Sequence, residues 1–279
     1  MKVGCFSLID PFTPLEHQLA QIQDMGFKYA DVTDNHTGAS LLGTIDMTAS
    51  VSLDSNPADI KAAYSKYGLE ITSVCCHANL LDPPAPFRYG TTEIMKGIYM
   101  ANALGVRDVI TTEGHMQTDW SKNLSEKERI FAFAEKLYEP ARLAEALGVR
   151  ILIEPHGIIS DDIAALGGVL DKLGNVSSVG VNLDTGNCWL GGTDPVEMAK
   201  AFKDQIGHIH WKDMPADMES ERGKSYGCGM GSIAIGDGVV DIEGVIAVLG
   251  DSVEYTTLEV AGTGALLASY EYLKHHGAE

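Results

Sequence analysis

Basic residues are scarce in this chain: 20 Lys and Arg stand against 39 Asp and Glu, a formal net charge of −19 over 279 residues. Such a charge repels DNA and anionic membrane surfaces unless a local basic patch intervenes, and none is visible. The longest basic-leaning stretch, Lys122 to Arg129, alternates with acids as a solvated helix face does. Also missing is any C-x2-C pair among the five cysteines (Cys5, Cys75, Cys76, Cys188, Cys228), so neither a disulfide framework nor a structural zinc site is indicated and a reducing compartment is expected. No run approaches the roughly 20 apolar residues of a transmembrane helix. The opening segment from Lys2 is broken at Asp10 and Pro11, earlier than a signal peptide allows. These absences lead us to expect a soluble, cytoplasmic protein with neither nucleic-acid nor membrane partner.

What is present is a rhythm. Short β-rich runs at Val3–Ser7, Tyr29–Thr33, Ile71–Cys75, Asp108–Thr112, Arg150–Glu154, Val179–Leu183, Ile206–Ile209 and Thr256–Val260 alternate with amphipathic helical patterns such as Leu15–Met25 and Glu126–Leu147. Helices preceding strands end in glycine-led turns, at Gly26, Gly68, Gly105 and Gly148, where glycine supplies a left-handed closing position. That alternation means a parallel sheet, and eight strands in a chain of this length predict one α/β domain over residues 1–279, a (β/α)8 TIM barrel. An open doubly wound sheet would alternate similarly. Two connections are long, Asp34 to Pro57 and Asp213 to Asp241. The second holds Gly227-Cys228-Gly229-Met230-Gly231, which lacks the strand and the Lys-Ser/Thr of a phosphate loop and is read as a flexible substrate lid.

The strand ends carry the chemistry. Strand five reads Ile-Glu154-Pro-His156, strand six Asn182-Leu-Asp184-Thr-Gly, strand seven His208-Ile-His210-Trp-Lys212-Asp213 and strand eight Thr-Leu-Glu259. Side chains two apart on a strand share a face, so these pairs point together, and in a barrel that face is the interior. Burying several ionisable groups there without partners is expensive, and a divalent cation resolves the cost. Glu154, Asp184, His210 and Glu259 offer an oxygen-rich set with one imidazole, suited to a single divalent Mn, Mg, Co or Zn rather than calcium.

Ile-Glu154-Pro-His, Asn-Leu-Asp184-Thr-Gly-Asn, His-Ile-His210-Trp-Lys-Asp, Gly-Asp-Gly-x-x-Asp241 and Leu-Glu259-Val together resemble the sugar phosphate isomerase/epimerase superfamily, the xylose isomerase-like barrels, over nearly the whole chain. The resemblance implies a divalent metal held by Glu154, Asp184, His210 and Glu259, a substrate chelated through adjacent oxygens, and Glu154 and Glu259 as the catalytic acid and base. Asn187 departs from the pattern, standing where members often carry histidine.

A proton beside a carbonyl is too weakly acidic to leave unaided; a metal polarises the carbonyl and stabilises the enediolate, one carboxylate takes the proton and another returns it. His77 at the end of strand three, Glu113 and His115 at the end of strand four, and His156, Asn187, His208 and Lys212 are candidate contacts to substrate hydroxyls, each with a satisfied polar group at a barrel rim as its plain alternative. Asp241 reads as a helix N-cap. The expected activity is isomerisation or epimerisation of a small, unphosphorylated keto-sugar or polyol by a homo-oligomer. The alternatives are a lyase expelling water or an alcohol, a nuclease of abasic DNA, which the acidic charge and Asn187 disfavour, and a barrel that only binds.

Overall fold

The structure is a computed structural model describing residues 1–10, 13–34, 51–81, 89–114, 116, 118–229 and 231–279. Strands β1 (Lys2–Cys5), β2 (Tyr29–Thr33), β3 (Glu70–Cys75), β4 (Asp108–Thr111), β5 (Arg150–Ile153), β6 (Val179–Asp184), β7 (Ile206–Trp211) and β8 (Tyr255–Leu258) pair in parallel in chain order, and β8 returns to β1. Closure decides for the barrel and against the open sheet. Around it lie α1 (Leu15–Asp24), α2 (Pro57–Lys66), α3 (Tyr89–Leu104), α4 (Asp119–Asn123), α5 (Glu126–Leu147), α6 (Ile163–Lys172), α7 (Thr185–Gly191), α8 (Pro195–Ala201), α9 (Ile242–Leu249) and α10 (Thr263–His275). The turn glycines Gly26, Gly68, Gly105 and Gly148 all have positive φ, as the sequence requires. Most of the connection between Asp34 and Pro57 lies outside the described residues. No helix among those described is long and apolar enough to cross a membrane.

Strand alternation sorts the side chains into two compartments. Val3, Ala30, Val32, Val74, Val109, Ile151, Ile153, Val181, Leu183, Ile209 and Leu258 join the large apolar core shared with the helices. Their strand neighbours Phe6, Cys75, Ile110 and Leu152 form a separate small cluster with Leu8. The inward residues of β6 and β7 are polar, and the register sets Asn182 beside His208 and Asp184 beside His210. The barrel therefore has a greasy half and a polar half, and the polar half leads to the C-terminal strand ends.

At the opposite end an ion pair fills the floor. Arg150 donates to both oxygens of Asp108 at 2.8 and 3.0 Å and to the Gly207 carbonyl at 3.1 Å. A Cβ on Gly207 would lie 2.2 Å from the guanidinium, so the side chain crosses the floor only because that position is glycine. Burial still pushes the Asp108 carboxyl above its ordinary value, Arg150 opposing it.

The segment after β7 is strapped down rather than built as a free lid. Asp213 accepts the backbone N–H groups of Met214, Gly236, Gly238 and Val240 at 2.9 to 3.0 Å. Those bonds account for the Gly-Asp-Gly motif: Gly236 has φ +94°, and a Cβ on Gly238 would sit 2.2 Å from the Asp213 carboxylate. Arg222 donates to the Trp189 carbonyl at 3.0 Å and lies over its ring at 4.7 Å. Asp241 accepts from the Gly244 N–H at 2.9 Å, capping α9 as its sequence position suggests.

Breaking the floor pair by Arg150→Met should leave a buried uncompensated carboxylate and lower stability by roughly 3–5 kcal/mol in urea denaturation, while adding Asp108→Leu should recover much of that loss. Equal losses in the single and double variants would show that the pair contributes packing alone.

Candidate metal centre and active site

The four residues singled out by strand-end periodicity converge. Glu154 follows β5, Asp184 ends β6, His210 lies within β7 and Glu259 follows β8, and one donor atom from each lies within 4.8 Å of the others. Two ligands about 2.1–2.2 Å from a common ion are at most roughly 4.4 Å apart, so the spacing is close to that of one coordination sphere. His210 Nδ1 is 3.0 Å from Glu154 Oε2 and 3.2 Å from Glu259 Oε2. Glu154, Asp184 and His210 are buried, and Glu259 retains 15% of its side-chain exposure, so it is the member nearest solvent.

Each remaining oxygen has a dedicated partner. Asn182 Nδ2 donates to Glu154 Oε2 at 2.9 Å and Asn187 Nδ2 to Glu154 Oε1 at 3.0 Å. Asp184 caps α7, its Oδ1 taking the Asn187 N–H at 2.7 Å. The Lys212 ammonium, 2% exposed, stands 2.9 Å from Asp184 Oδ2 and 2.8 Å from Glu259 Oε1. Asp184 Oδ2 and both ring nitrogens of His210 are buried without a directed hydrogen bond. A carboxylate oxygen met only by an ammonium and an imidazole nitrogen set against two carboxylates, gathered in one group, suit a cation.

Electrostatics follow the packing. Burial disfavours charge on every member, yet His210 and Lys212 hold Glu154 well below the usual carboxylate range, and Lys212 and His210 lower Glu259. Asp184 goes the other way: burial raises it to about 7 against the pull of Lys212. Burial opposes charge on His210 too, but the two glutamates hold it well above the ordinary imidazole value.

The other candidates scatter. Lys212 and Asn187 join the cluster. His208 sits deeper in the barrel, fully buried, with Nε2 2.9 Å from Thr257 Oγ1 and its ring edge-on to His210 at 5.5 Å. His77 Nδ1 is 3.1 Å from Asp34 Oδ1 and keeps 26% exposure. His156 lies under the loop, where a Cβ on Gly227 would come within 2.3 Å of its Nε2. Glu113 is turned to the backbone, accepting from Ile159 N–H at 3.0 Å and Ser160 N–H at 2.6 Å, so it holds the β5–α6 turn. His115 lies outside the described residues. The strand-end reading missed Asp31, an acid inside the apolar strand β2, whose carboxylate forms a second group with Cys75 and His210. The same signal, an ionisable residue where a strand should be apolar, marks it.

A profile of the xylose isomerase-like TIM barrel family matches residues 19–274. Among curated proteins the chain is 27% identical over 161 residues to an inosose dehydratase of Clostridium beijerinckii, covering 52% of this chain and 53% of that one. It is 26% identical over 210 residues to an inosose dehydratase of Clostridium perfringens, covering 69% of each. The chain thus spans about half the length of the first relative. A D-tagatose 3-epimerase-like protein superposes with a TM-score of 0.75 at 19% identity, covering 99% of this chain and 97% of that one. IolI with a bound zinc atom gives 0.74 at 16% identity, with the same coverages of 99% and 97%. At these identities the superpositions show the fold.

Because the two glutamates favour the protonated form of His210, an entering ion competes with its proton. Calorimetry on chelator-stripped protein should show one divalent ion bound with release of between one and two protons near neutral pH, drawn from His210 and Asp184, and an affinity that rises with pH. His210→Ala should weaken binding at least tenfold and lower the proton release to the share of Asp184; proton release unchanged in His210→Ala would show that His210 is no ligand.

Proposed function

We propose, from the premise that the chain belongs to the xylose isomerase-like TIM barrel family, that it moves a proton on the carbon beside a ketone in a small sugar or polyol, as an isomerase or epimerase. The observation carrying this reading is the pair of glutamates converging on one histidine nitrogen, Glu154 at 3.0 Å and Glu259 at 3.2 Å, with Asp184 in the same group. A divalent cation held by Glu154, Asp184, His210 and Glu259 would supply Lewis acidity to a carbonyl oxygen and stabilise the negative charge that develops there.

The chain's own residues divide the remaining work. Glu259, ionised and the most exposed of the four, accepts the substrate proton. Lys212, at 2.8 Å from its other oxygen, keeps that carboxylate ionised between turnovers. Glu154, fixed through both oxygens by Asn182 and Asn187, is the second carboxylate and returns the proton. Proton transfer by a positioned carboxylate contributes about 10²–10⁴-fold.

A second reading, elimination of water or an alcohol from the same substrate class, is favoured by Lys212. Elimination needs positive charge at the departing oxygen, and Lys212 is a fixed ammonium inside the cluster. The names of the two curated relatives support the same reading.

NMR of a keto-sugar and inosose panel in deuterated water should show deuterium entering a carbon beside the carbonyl, with Glu259→Gln slowing exchange about 10²–10⁴-fold. An isomeric product supports the first reading and an unsaturated or deoxygenated one the second; no exchange with any ketone, from protein shown to bind metal, would sink both.

A further inference from the structure

Beneath the candidate ligands the barrel holds a polar pair with no part in the chemistry above. Asp31, in the middle of β2, has no exposed surface, and neither has Cys75 at the end of β3. Asp31 Oδ1 takes the Ser7 N–H at 2.8 Å and Thr33 Oγ1 at 3.4 Å, and Oδ2 faces Cys75 Sγ at 3.5 Å. One short hydrogen bond is little for a carboxylate wholly out of water, since a buried charge is costly unless paired and well bonded.

The missing partner is close. Donor atoms of Asp31, Cys75 and His210 lie within 4.8 Å of one another. Nδ1 of that ring is turned to Glu154 and Glu259, while Nε2, at the other end, is buried without a hydrogen bond. The ring's plane is set by edge contacts from Phe6 at 6.1 Å and His208 at 5.5 Å. Around the pair stand Phe6, Leu8, Ile110 and Leu152, an apolar wall that offers no further ligands for an ion of its own.

We infer that Asp31 and Cys75 form the seat of His210: the Nε2–H donates into the Asp31–Cys75 pair, which fixes the ring and presents its Nδ1 lone pair to a metal held between Glu154 and Glu259. This rests on the metal reading of the four-residue cluster. Asp31 is a positioning residue, acting on the ion only through the imidazole. Metal-bound histidines commonly donate their second nitrogen to a carboxylate in this way, and loss of such a partner weakens metal binding by about 10–100-fold.

Two measurements on ¹⁵N-labelled protein test this. The first is the Nε2–H proton resonance of His210, assigned by its absence in His210→Gln, which should be strongly downfield in stripped and zinc-loaded wild type and move upfield in Asp31→Asn. The second is zinc affinity by competition with a chromophoric chelator, expected to fall about 10–100-fold in Asp31→Asn and less in Cys75→Ala, with Cys75→Ser restoring it. The visible spectrum of the cobalt-substituted protein should change in Asp31→Asn, a response that lost packing alone does not give. Unchanged resonance and affinity in Asp31→Asn would overturn the inference, as would a second equivalent of zinc lost with Asp31, which would make the pair an ion site itself. Wild type that takes up no zinc would remove the metal reading, and the Nε2–H resonance of the stripped protein would then decide the Asp31 contact alone.

Discussion

Three carboxylates packed against one another at the mouth of a barrel are the constraint to which the rest of this site responds. Glu154, Asp184 and Glu259 offer oxygens within one 4.8 Å group, largely out of water. Like charges about 4 Å apart repel by roughly 4 kcal/mol at an effective dielectric near 20, so three together would expel one another or take up protons. The chain supplies one permanent cation, Lys212, touching two of the three, and two side-chain amides on the third. With all three ionised and the imidazole neutral, as ligation requires, three negative charges less one ammonium leave two, the charge of one divalent ion. The donor types point to such an ion, and so does the charge that remains.

The barrel makes so unfavourable a group foldable because the cost falls on residues whose neighbours repay it. Outward positions of the same strands, Ile151, Ile153, Val181, Leu183, Ile209 and Leu258, bury against helices at every second residue. Burying each such side chain contributes about 1.5–3 kcal/mol. Register does the rest: Asn182 beside His208, Asp184 beside His210 and His210 beside Thr257 line up as a polar ladder, in which Asn182 bonds to Glu154 and His208 to Thr257. A shift of one residue in β6 or β7 would carry these groups into the apolar shell, so the pattern that builds the site also enforces the pairing.

That coupling explains what the sequence made legible. Glu154, Asp184, His210 and Glu259 stood out because period-two alternation is read directly from spacing, and closure of eight short strands brings their ends together whatever the loops do. Glu113 looked equivalent, an acid just beyond a strand, yet its carboxylate turns to the N–H groups of Ile159 and Ser160, contacts made across 46 and 47 residues of sequence that no local pattern encodes. Asp31 was overlooked for the converse reason: a single acid between Ala30 and Val32 has only the long Thr33 contact nearby in sequence, and its neighbours Ser7 and Cys75 come from elsewhere in the chain. The stretch from Gly227 to Gly231 suggested a lid, and its contacts too come from far away in sequence: Gly227 lies against His156, and Cys228 donates to Asn187.

That strapped segment bears on how the two glutamates differ. Cys228 donates both its N–H, at 2.8 Å, and its thiol, at 3.1 Å, to Asn187 Oδ1, and Asn187 in turn donates to Glu154. Ser232 donates to the Glu259 carbonyl at 3.0 Å. One loop therefore braces Glu154 through an amide relay and Glu259 through its backbone, while Lys212, adjacent to the Asp213 clasp, holds the free oxygen of Glu259. Opening the segment would take from Asn187 the two donors that orient its amide, and Glu154 would lose a hydrogen bond that favours its charged form. Loop order and the charged form of Glu154 thus favour each other, so a cation that keeps this carboxylate ionised also favours the ordered loop, and protonation of Glu154 opposes it.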